Sequence, residues 1–311
     1  MVASGDPQRW PSCASSDEDL DEWLSTACCH LAYDAHRIPL PIPFTRTLLL
    51  EPTSLPLSGE HALVCGASQG IGRAVAQALA GQGAQVTLLA RTKETLAQVL
   101  ASLPGHGHSS LAVDLADTSA LGDAVTEHLR GSGPVGILVN NAGGPSPGPA
   151  HLAAVVAYEE AFRLHLLSFQ TLVLAVVPGM KAVRHGRIIN VISTSVKQPL
   201  ANLGVSNTIR GAVAQWSKTL ANELGPFNIT VNNVLPGATS TERLAAIIRN
   251  KAKGTGTSEA EVVQQMMEEV PLRRFATPEE IAHAVSFLAG PHATYISGIN
   301  LPVDGGRTGC L

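Results

Sequence analysis

The stretch ALVCGASQGIG, residues 62–72, decides the fold. An apolar run of strand length, Ala62 to Cys65, enters a loop carrying Gly66, Gly70 and Gly72, and a helical pattern follows over 71–81. Glycines let the chain turn tightly and bring its backbone close to a pyrophosphate. The start of the next helix adds free amide donors and the positive end of a dipole. A glycine-rich loop alone is a weak signal; a strand before it and a helix after it supply the context it needs.

Outward from this stretch the alternation repeats. Strand-length apolar runs fall at 86–90, 110–113, 136–140, 187–192, 229–235 and 299–303, with helical patterns at 118–130, 158–176, 207–223 and 278–289. Strands alternating with helices predict a parallel sheet. The runs lack the period-two polarity of a half-exposed sheet, so both faces are covered. The expected fold is α/β: a single doubly wound Rossmann domain over 58–311, with a seven-stranded parallel sheet and helices on both faces. Residues 1–57 read as an N-terminal extension. Ser15 and Glu18 have capping-box spacing, Leu20, Trp23, Leu24, Ala27, Cys28 and Leu31 fall at helical spacing, and IPLPIPFTR then favours extended chain. This segment is either a docking arm or a loosely attached extension.

Bulk composition narrows the class. A hydrophobic share of 45% with 15% charged residues describes a globular protein with ample core. A net charge of -4 and an aromatic share of 4% argue against nucleic acid or acidic lipid as partners. The five cysteines (Cys13, Cys28, Cys29, Cys65, Cys310) have no metal-ligand spacing, and their scattered, odd number fits a reducing compartment. The acidic N-terminus lacks a basic-then-apolar signal pattern. The most apolar stretch, Leu164 to Pro178, is interrupted by His165, Ser168 and Gln170 and is short for a bilayer. The expectation is a soluble cytoplasmic protein with no metal, nucleic-acid or membrane partner.

Further motifs follow in order: NNAG (140–143), GRIINVIS (186–193), KTLANELGPFNITVNNVLPG (218–237), PLRRFATPEEIA (271–282), FLAG (287–290) and VDGG (303–306). With G-x-x-x-G-x-G at 66–72, this set resembles the short-chain dehydrogenase/reductase family over residues 57–306. Its closest flavour is the 3-oxoacyl-(acyl-carrier-protein) reductase branch. The resemblance implies a nicotinamide dinucleotide held by Gly66, Ser68, Gln69, Gly70 and Ile71. Asp114 and Leu115 would lie at the adenine, Asn141, Ala142 and Gly143 at the ribose, and Pro236, Gly237, Thr239 and Thr241 at the carboxamide. Cys65 replaces the family's Thr, which commonly bonds to the NNAG region. The second strand ends in Ala90 and Arg91, where NAD-preferring members carry an acid. An acid repels a 2′-phosphate and an arginine pairs with one. NADP(H) is therefore expected over NAD(H), although Gln69 stands where many NADP-binding members are basic. Arg91 as a plain surface residue is the alternative.

The family's catalytic set is Asn, Ser, Tyr and Lys. Counting back from KTLANELG puts Ser206 at the Tyr position and Arg210 at the Lys position. Counting forward from NVIS retains the serine as Ser193, and FRLHLLS places His165 where Asn is expected. None of the three tyrosines, Tyr33, Tyr158 and Tyr295, lies near the motif. An aliphatic hydroxyl is far less acidic than a phenol, and arginine is a permanent cation that relays no proton. Losing a positioned general acid costs about 3–5 kcal/mol of barrier, from its typical 10²–10⁴-fold contribution. Arg210 still suits ribose hydroxyls and developing negative charge. Ser206 reads equally as a helix cap. His165, Lys197 and Tyr158 are candidate substitute acids, each with a packing or solvated role as the alternative. The reading is an atypical oxidoreductase acting on a small carbonyl or alcohol, with a cofactor-binding protein lacking redox turnover as the alternative. The all-round apolar helix 164–178 predicts a homodimer or homotetramer, and the polar stretch 239–267 reads as a long loop, either a lid or plain surface.

Overall fold

The structure, a computed structural model, describes residues 55–310. The proposed N-terminal helix and Pro-rich segment lie outside the described residues. Seven strands form one sheet: β1 (His61–Cys65), β2 (Gln85–Ala90), β3 (Ser109–Ala112), β4 (Ile137–Asn140), β5 (Gly186–Val191), β6 (Ile229–Pro236) and β7 (Asn300–Val303). Their order is β3-β2-β1-β4-β5-β6-β7. Every pairing is parallel. The sequence-predicted strands each fall within a residue or so of these bounds.

Alternate residues feed two cores. Ala62 and Val64 of β1, Val86 and Leu88 of β2, and Ile137 and Val139 of β4 pack with α1 (Gly70–Gly81), α2 (Lys93–Ala101) and α9 (Pro278–Ala289). Leu63, Leu89, Leu138 and Ile188 face the opposite layer. That layer holds α3 (Thr118–Ser132), α5 (Ser168–Val183) and α6 (Gly204–Leu224). Burial on both faces explains the continuous apolar strand runs.

Four asparagines break that apolar pattern. Asn140, Asn190, Asn233 and Asn300 stand opposite one another on β4, β5, β6 and β7. Asn140 Nδ2 donates to Asn190 Oδ1 at 2.8 Å, Asn190 Nδ2 to Asn233 Oδ1 at 2.9 Å, and Asn233 Nδ2 to Asn300 Oδ1 at 2.8 Å. Asn190 also donates to Ser217 Oγ of α6 at 3.1 Å. Asn190 and Asn233 thus have partners on both sides, while the buried Asn140 Oδ1 at the end of the row has none.

The helix expected at 158–176 runs further in both directions. α4 (Val155–Phe162) continues through a π-turn (Arg163–Leu167) into α5. The whole run, Val155–Val183, is 29 residues and is long and apolar enough to cross a membrane by length and composition. The stretch 164–178 was shorter because it ended at Arg163 on one side and at Pro178 on the other, whereas the helix runs through both. In the fold, Phe169, Leu172, Val173, Val176 and Met180 pack into the core. The outer side leaves Leu174 at 67% exposure, so the single chain buries one face of this helix rather than all of it.

The stretch 239–267 is not a loop. It forms α7 (Glu242–Thr255) and α8 (Glu259–Glu268). Leu244, Ile248 and Ala252 recur every four residues and pack against Val262. Ser258 and Glu261 close a reciprocal capping box that restarts the helix after GTGT.

Candidate active site

The glycine loop and the end of β4 interlock. Gly66 has φ +59°, and a Cβ there would lie 2.7 Å from Asn141 Nδ2 and from the Asn141 carbonyl oxygen. A Cβ at Gly72 would lie 2.1 Å from the Gly66 carbonyl oxygen. Only glycine fits either position. Asn141 Nδ2 donates to the carbonyls of Cys65 (3.2 Å) and Gly66 (3.4 Å). The scaffold contact in doubt at Cys65 is therefore made through its backbone. The thiol itself is buried, and burial pushes it up to about 12. Gln69 precedes α1 without a side-chain cap, so the first amides of that helix stay available to an anion.

The other proposed cofactor residues share this end of the sheet. Arg91 follows β2 and is exposed; Asp114 follows β3, and its carboxylate accepts from Ala116 N at 2.9 Å, while Leu115 is buried. Gly237 N, just after Pro236, donates to the Val303 carbonyl at 3.0 Å. Thr239 is buried, and Thr241 caps α7 by accepting from Leu244 N at 3.3 Å. The Thr241 methyl lies 3.3 Å from where a Cβ at Gly70 would stand, so this segment reaches back over the glycine loop. Ser68 and Ile71 are half-buried in that loop. The uncapped amides and the two required glycines fit a dinucleotide pyrophosphate.

Arg210 lies on α6 and reaches across to the ends of β4 and β5. It is 6% exposed. Its guanidinium donates to Val191 O of β5 at 3.0 Å and to Ala142 O beyond β4 at 3.3 Å. Burial lowers its pKa to about 10, which leaves it charged at neutral pH. His165, in the π-turn, is fully buried, and neither ring nitrogen has a hydrogen-bond partner. Burial first and the nearby Arg210 charge second push its pKa down to about 2; the Gly143 carbonyl opposes them weakly. Its ring is neutral and carries no acidic proton at ordinary pH.

Ser193 is half-buried just past β5 and accepts from Ser195 N at 3.1 Å as it caps a short turn. Ser206 does not cap α6. The helix begins at Gly204 and Leu203 precedes it without a side-chain cap. The start is set two residues early by a backbone bridge: Gly148 N donates to Asn202 O at 2.7 Å and Gly204 N to Gly148 O at 3.0 Å. Ser206 therefore lies in the first turn, half-buried and free of that role. Tyr158 packs against Val205 and Ile209 as a packing aromatic. Lys197 ends the turn after Ser193, and its carbonyl accepts from the Cys310 thiol at 3.5 Å.

The fold thus gathers Arg210, His165 and Ala142–Gly143, with Ser193 two residues beyond the Val191 carbonyl that Arg210 holds. The sequence reading missed Arg243, the second residue of α7, which donates to the Pro145 carbonyl just after NNAGG. It lay inside a stretch read as loop, and no spacing marks it.

An open parallel α/β sheet with a glycine-built crevice at its strand carboxyl ends is the architecture of a dinucleotide-binding fold. The family model described as enoyl-(acyl carrier protein) reductase matches residues 66–308. The chain is 34% identical to an L-xylulose reductase of Mesocricetus auratus over 253 residues, covering 81% of this chain and 98% of that one. It is 36% identical to the 3-oxoacyl-[acyl-carrier-protein] reductase of Escherichia coli (strain K12), covering 80% and 97%. It superimposes on L-sorbose reductase from Gluconobacter frateurii, solved with NADPH and L-sorbose, with a TM-score of 0.77 at 36% identity, covering 83% and 100%. The chain belongs to the short-chain dehydrogenase/reductase family.

Proposed function

We propose that this protein is an atypical NADP(H)-dependent oxidoreductase acting on a small or medium carbonyl or alcohol, with 3-oxoacyl compounds as the first class to try. The observation that carries the reading is the interlock of Gly66, Gly72 and Asn141 beside uncapped α1 amides, with Arg210 bridging β4 and β5 next to it. The bound nicotinamide supplies or accepts the hydride. Ser193 offers a hydroxyl to the substrate oxygen, and Arg210 holds ribose hydroxyls and steadies negative charge near the reacting carbon. Arg91, exposed after β2, pairs with a 2′-phosphate in this reading. We further take the enzyme to be a cytoplasmic homodimer or homotetramer, with 58–311 as its catalytic domain.

A second reading, a cofactor-binding protein without redox turnover, draws on one observation. The group at the family's Asn position is a buried neutral imidazole pushed down to about 2, and those at the Tyr and Lys positions are a hydroxyl and a buried arginine.

One set of measurements separates the two. Titration by fluorescence should give NADPH a Kd at least about tenfold below that of NADH, from one charge-assisted contact, with Arg91→Glu erasing the difference. Equal constants in the wild type would overturn the cofactor assignment. Oxidation of NADPH with 3-oxoacyl thioesters, ketones and quinones should run about 10²–10⁴-fold slower than in the Ser206→Tyr, Arg210→Lys double variant. Tight NADPH binding without oxidation of any of them would leave the second reading standing.

A further inference from the structure

The asparagine row has a direction. Each amide donates through Nδ2 toward β7 and accepts through Oδ1 from the β4 side, so the side-chain dipoles of Asn140, Asn190, Asn233 and Asn300 add head to tail. The negative end is the buried Asn140 Oδ1, which has no donor. The positive end is Asn300 Nδ2. Asn300 uses its oxygen to accept from Asn233, and its amide nitrogen has no acceptor among the described residues. β7 is the last strand of the sheet, so no further strand continues the row.

Asn300 lines a concavity of about 430 Å³. Gly211, Gln215 and Lys218 of α6 line it too, as does Gly298 just before β7, and none of its lining residues is acidic. Gly298 has φ +76°, and a Cβ there would lie 2.6 Å from Lys218 Nζ and 3.0 Å from Lys218 Cδ. The absence of a side chain at Gly298 is therefore what seats the lysine, whose stem lies over the glycine backbone. Lys218 is in none of the ion pairs among the described residues, which are Arg130–Glu127, His185–Glu60, Arg274–Glu280 and Arg307–Glu269. Nothing lies within 4 Å of the position a Cβ would take at Gly211, so the α6 side of the concavity is open. An anion here meets an unpaired ammonium and the positive end of the amide row together.

We infer that this concavity binds a phosphate group carried on a small molecule. Lys218 supplies the charge, and Asn300 Nδ2 and the Gln215 amide supply further donors. A lysine binds phosphate as a point charge, whereas planar recognition of a carboxylate calls for the fork of an arginine. The site is separate from the cofactor crevice. The glycine cradle lies between β1 and β4, and the concavity lies at the β7 edge of the same sheet. It does not depend on redox turnover.

The test uses the full chain saturated with NADP⁺, so that the dinucleotide fills its own phosphate sites. Calorimetry then titrates glycerol 3-phosphate and phenyl phosphate against glycerol and phenol, with acetate as the competing anion. At least one phosphate compound should bind about tenfold or more tightly than its neutral counterpart and than acetate. Lys218→Gln changes an exposed side chain, so the fold should survive it. It should weaken that compound about tenfold, the scale of one charge-assisted bond. Asn300→Asp keeps an acceptor for Asn233 Nδ2 and turns the free donor into a charged oxygen, so it should abolish binding. Arg91→Glu should leave phosphate binding unchanged. Phosphates no better than their neutral counterparts or acetate would overturn the proposal. So would binding that survives both site variants, or binding lost in Arg91→Glu, which would place the phosphate in the cofactor crevice. An oligomer that dissociates in Lys218→Gln would also overturn it, because the occupant would then be an acidic side chain of a second copy.

Discussion

His165 shows how one residue can look functional in sequence and act differently in place. Histidine at a catalytic register suggests acid–base work because its usual pKa lies near neutrality. Inside the π-turn its ring is fully buried beside Arg210, and its pKa is pushed down to about 2. The sign of the resulting pH effect is fixed. The unfolded chain takes up this proton below about pH 6.5 and the folded protein refuses it. The stability is fully present above that pH and falls as pH drops toward the folded value. Each unit below 6.5 costs about 1.4 kcal/mol, so about 2 kcal/mol is lost by pH 5. Urea unfolding at pH 7 and pH 5 should show this loss, and His165→Asn should remove most of it. Equal pH slopes in the two proteins would mean that the imidazole is not held neutral. The histidine's register was legible in the sequence. Its neutrality was not, because it depends on a π-turn and on an arginine 45 positions away that only the fold brings close.

At the level of elements, legibility followed burial. Strands with both faces covered are continuous apolar runs, and β1 through β7 were readable for that reason. α7 and α8 were not, since their apolar positions are few and sit among charged residues. The capping residues carried the missing signal. Ser258 Oγ accepts from Glu261 N at 3.2 Å and Glu261 answers on Ser258 N at 2.8 Å. Ser258→Ala should cost about 1 kcal/mol and loosen α8 with little change elsewhere, as local amide exchange can report. No local change in exchange would show that packing on Val262 alone holds the helix. The asparagine row was invisible for a different reason: each residue is ordinary in its own strand, and only the cross-strand register aligns all four.

Among the described residues, the helical run Val155–Val183 leaves several large apolar side chains exposed. Leu152 and Val155 are each 74% exposed and Leu174 is 67% exposed, with Val156 and Phe162 nearby in the chain. Large apolar side chains left exposed along one helix suit an interaction between subunits. We expect a dimer or tetramer by light scattering, and Leu174→Glu with Val155→Glu should yield a folded monomer. A monomeric wild type at micromolar concentration would refute this. The seven-stranded parallel sheet with helices on both faces and its glycine loop were legible from the order of the motifs, whereas the strand order came only from the fold. The candidate site was legible only in part: Arg210 and His165 could be located by register, whereas Arg243, which reaches the Pro145 carbonyl, sits on the α7 helix that the polar stretch concealed.

The π-turn between α4 and α5 also has a consequence for helical phase. Each residue of an α-helix advances its neighbours by about 100° around the axis, and a π-turn holds one residue more than a regular turn. That surplus residue sets the angle between what α4 and α5 present. α5 aims Phe169 and Leu172 at the sheet, while α4 aims Tyr158 and Ala161 at Val205 and Ile209 of α6. Deleting a single residue within 163–167 would regularise the helix and swing α4 by about 100°, turning Tyr158 away from α6 and His165 away from Arg210 together. The two halves of this helix are therefore indexed to each other like cams on one shaft, and the timing between them is set at His165.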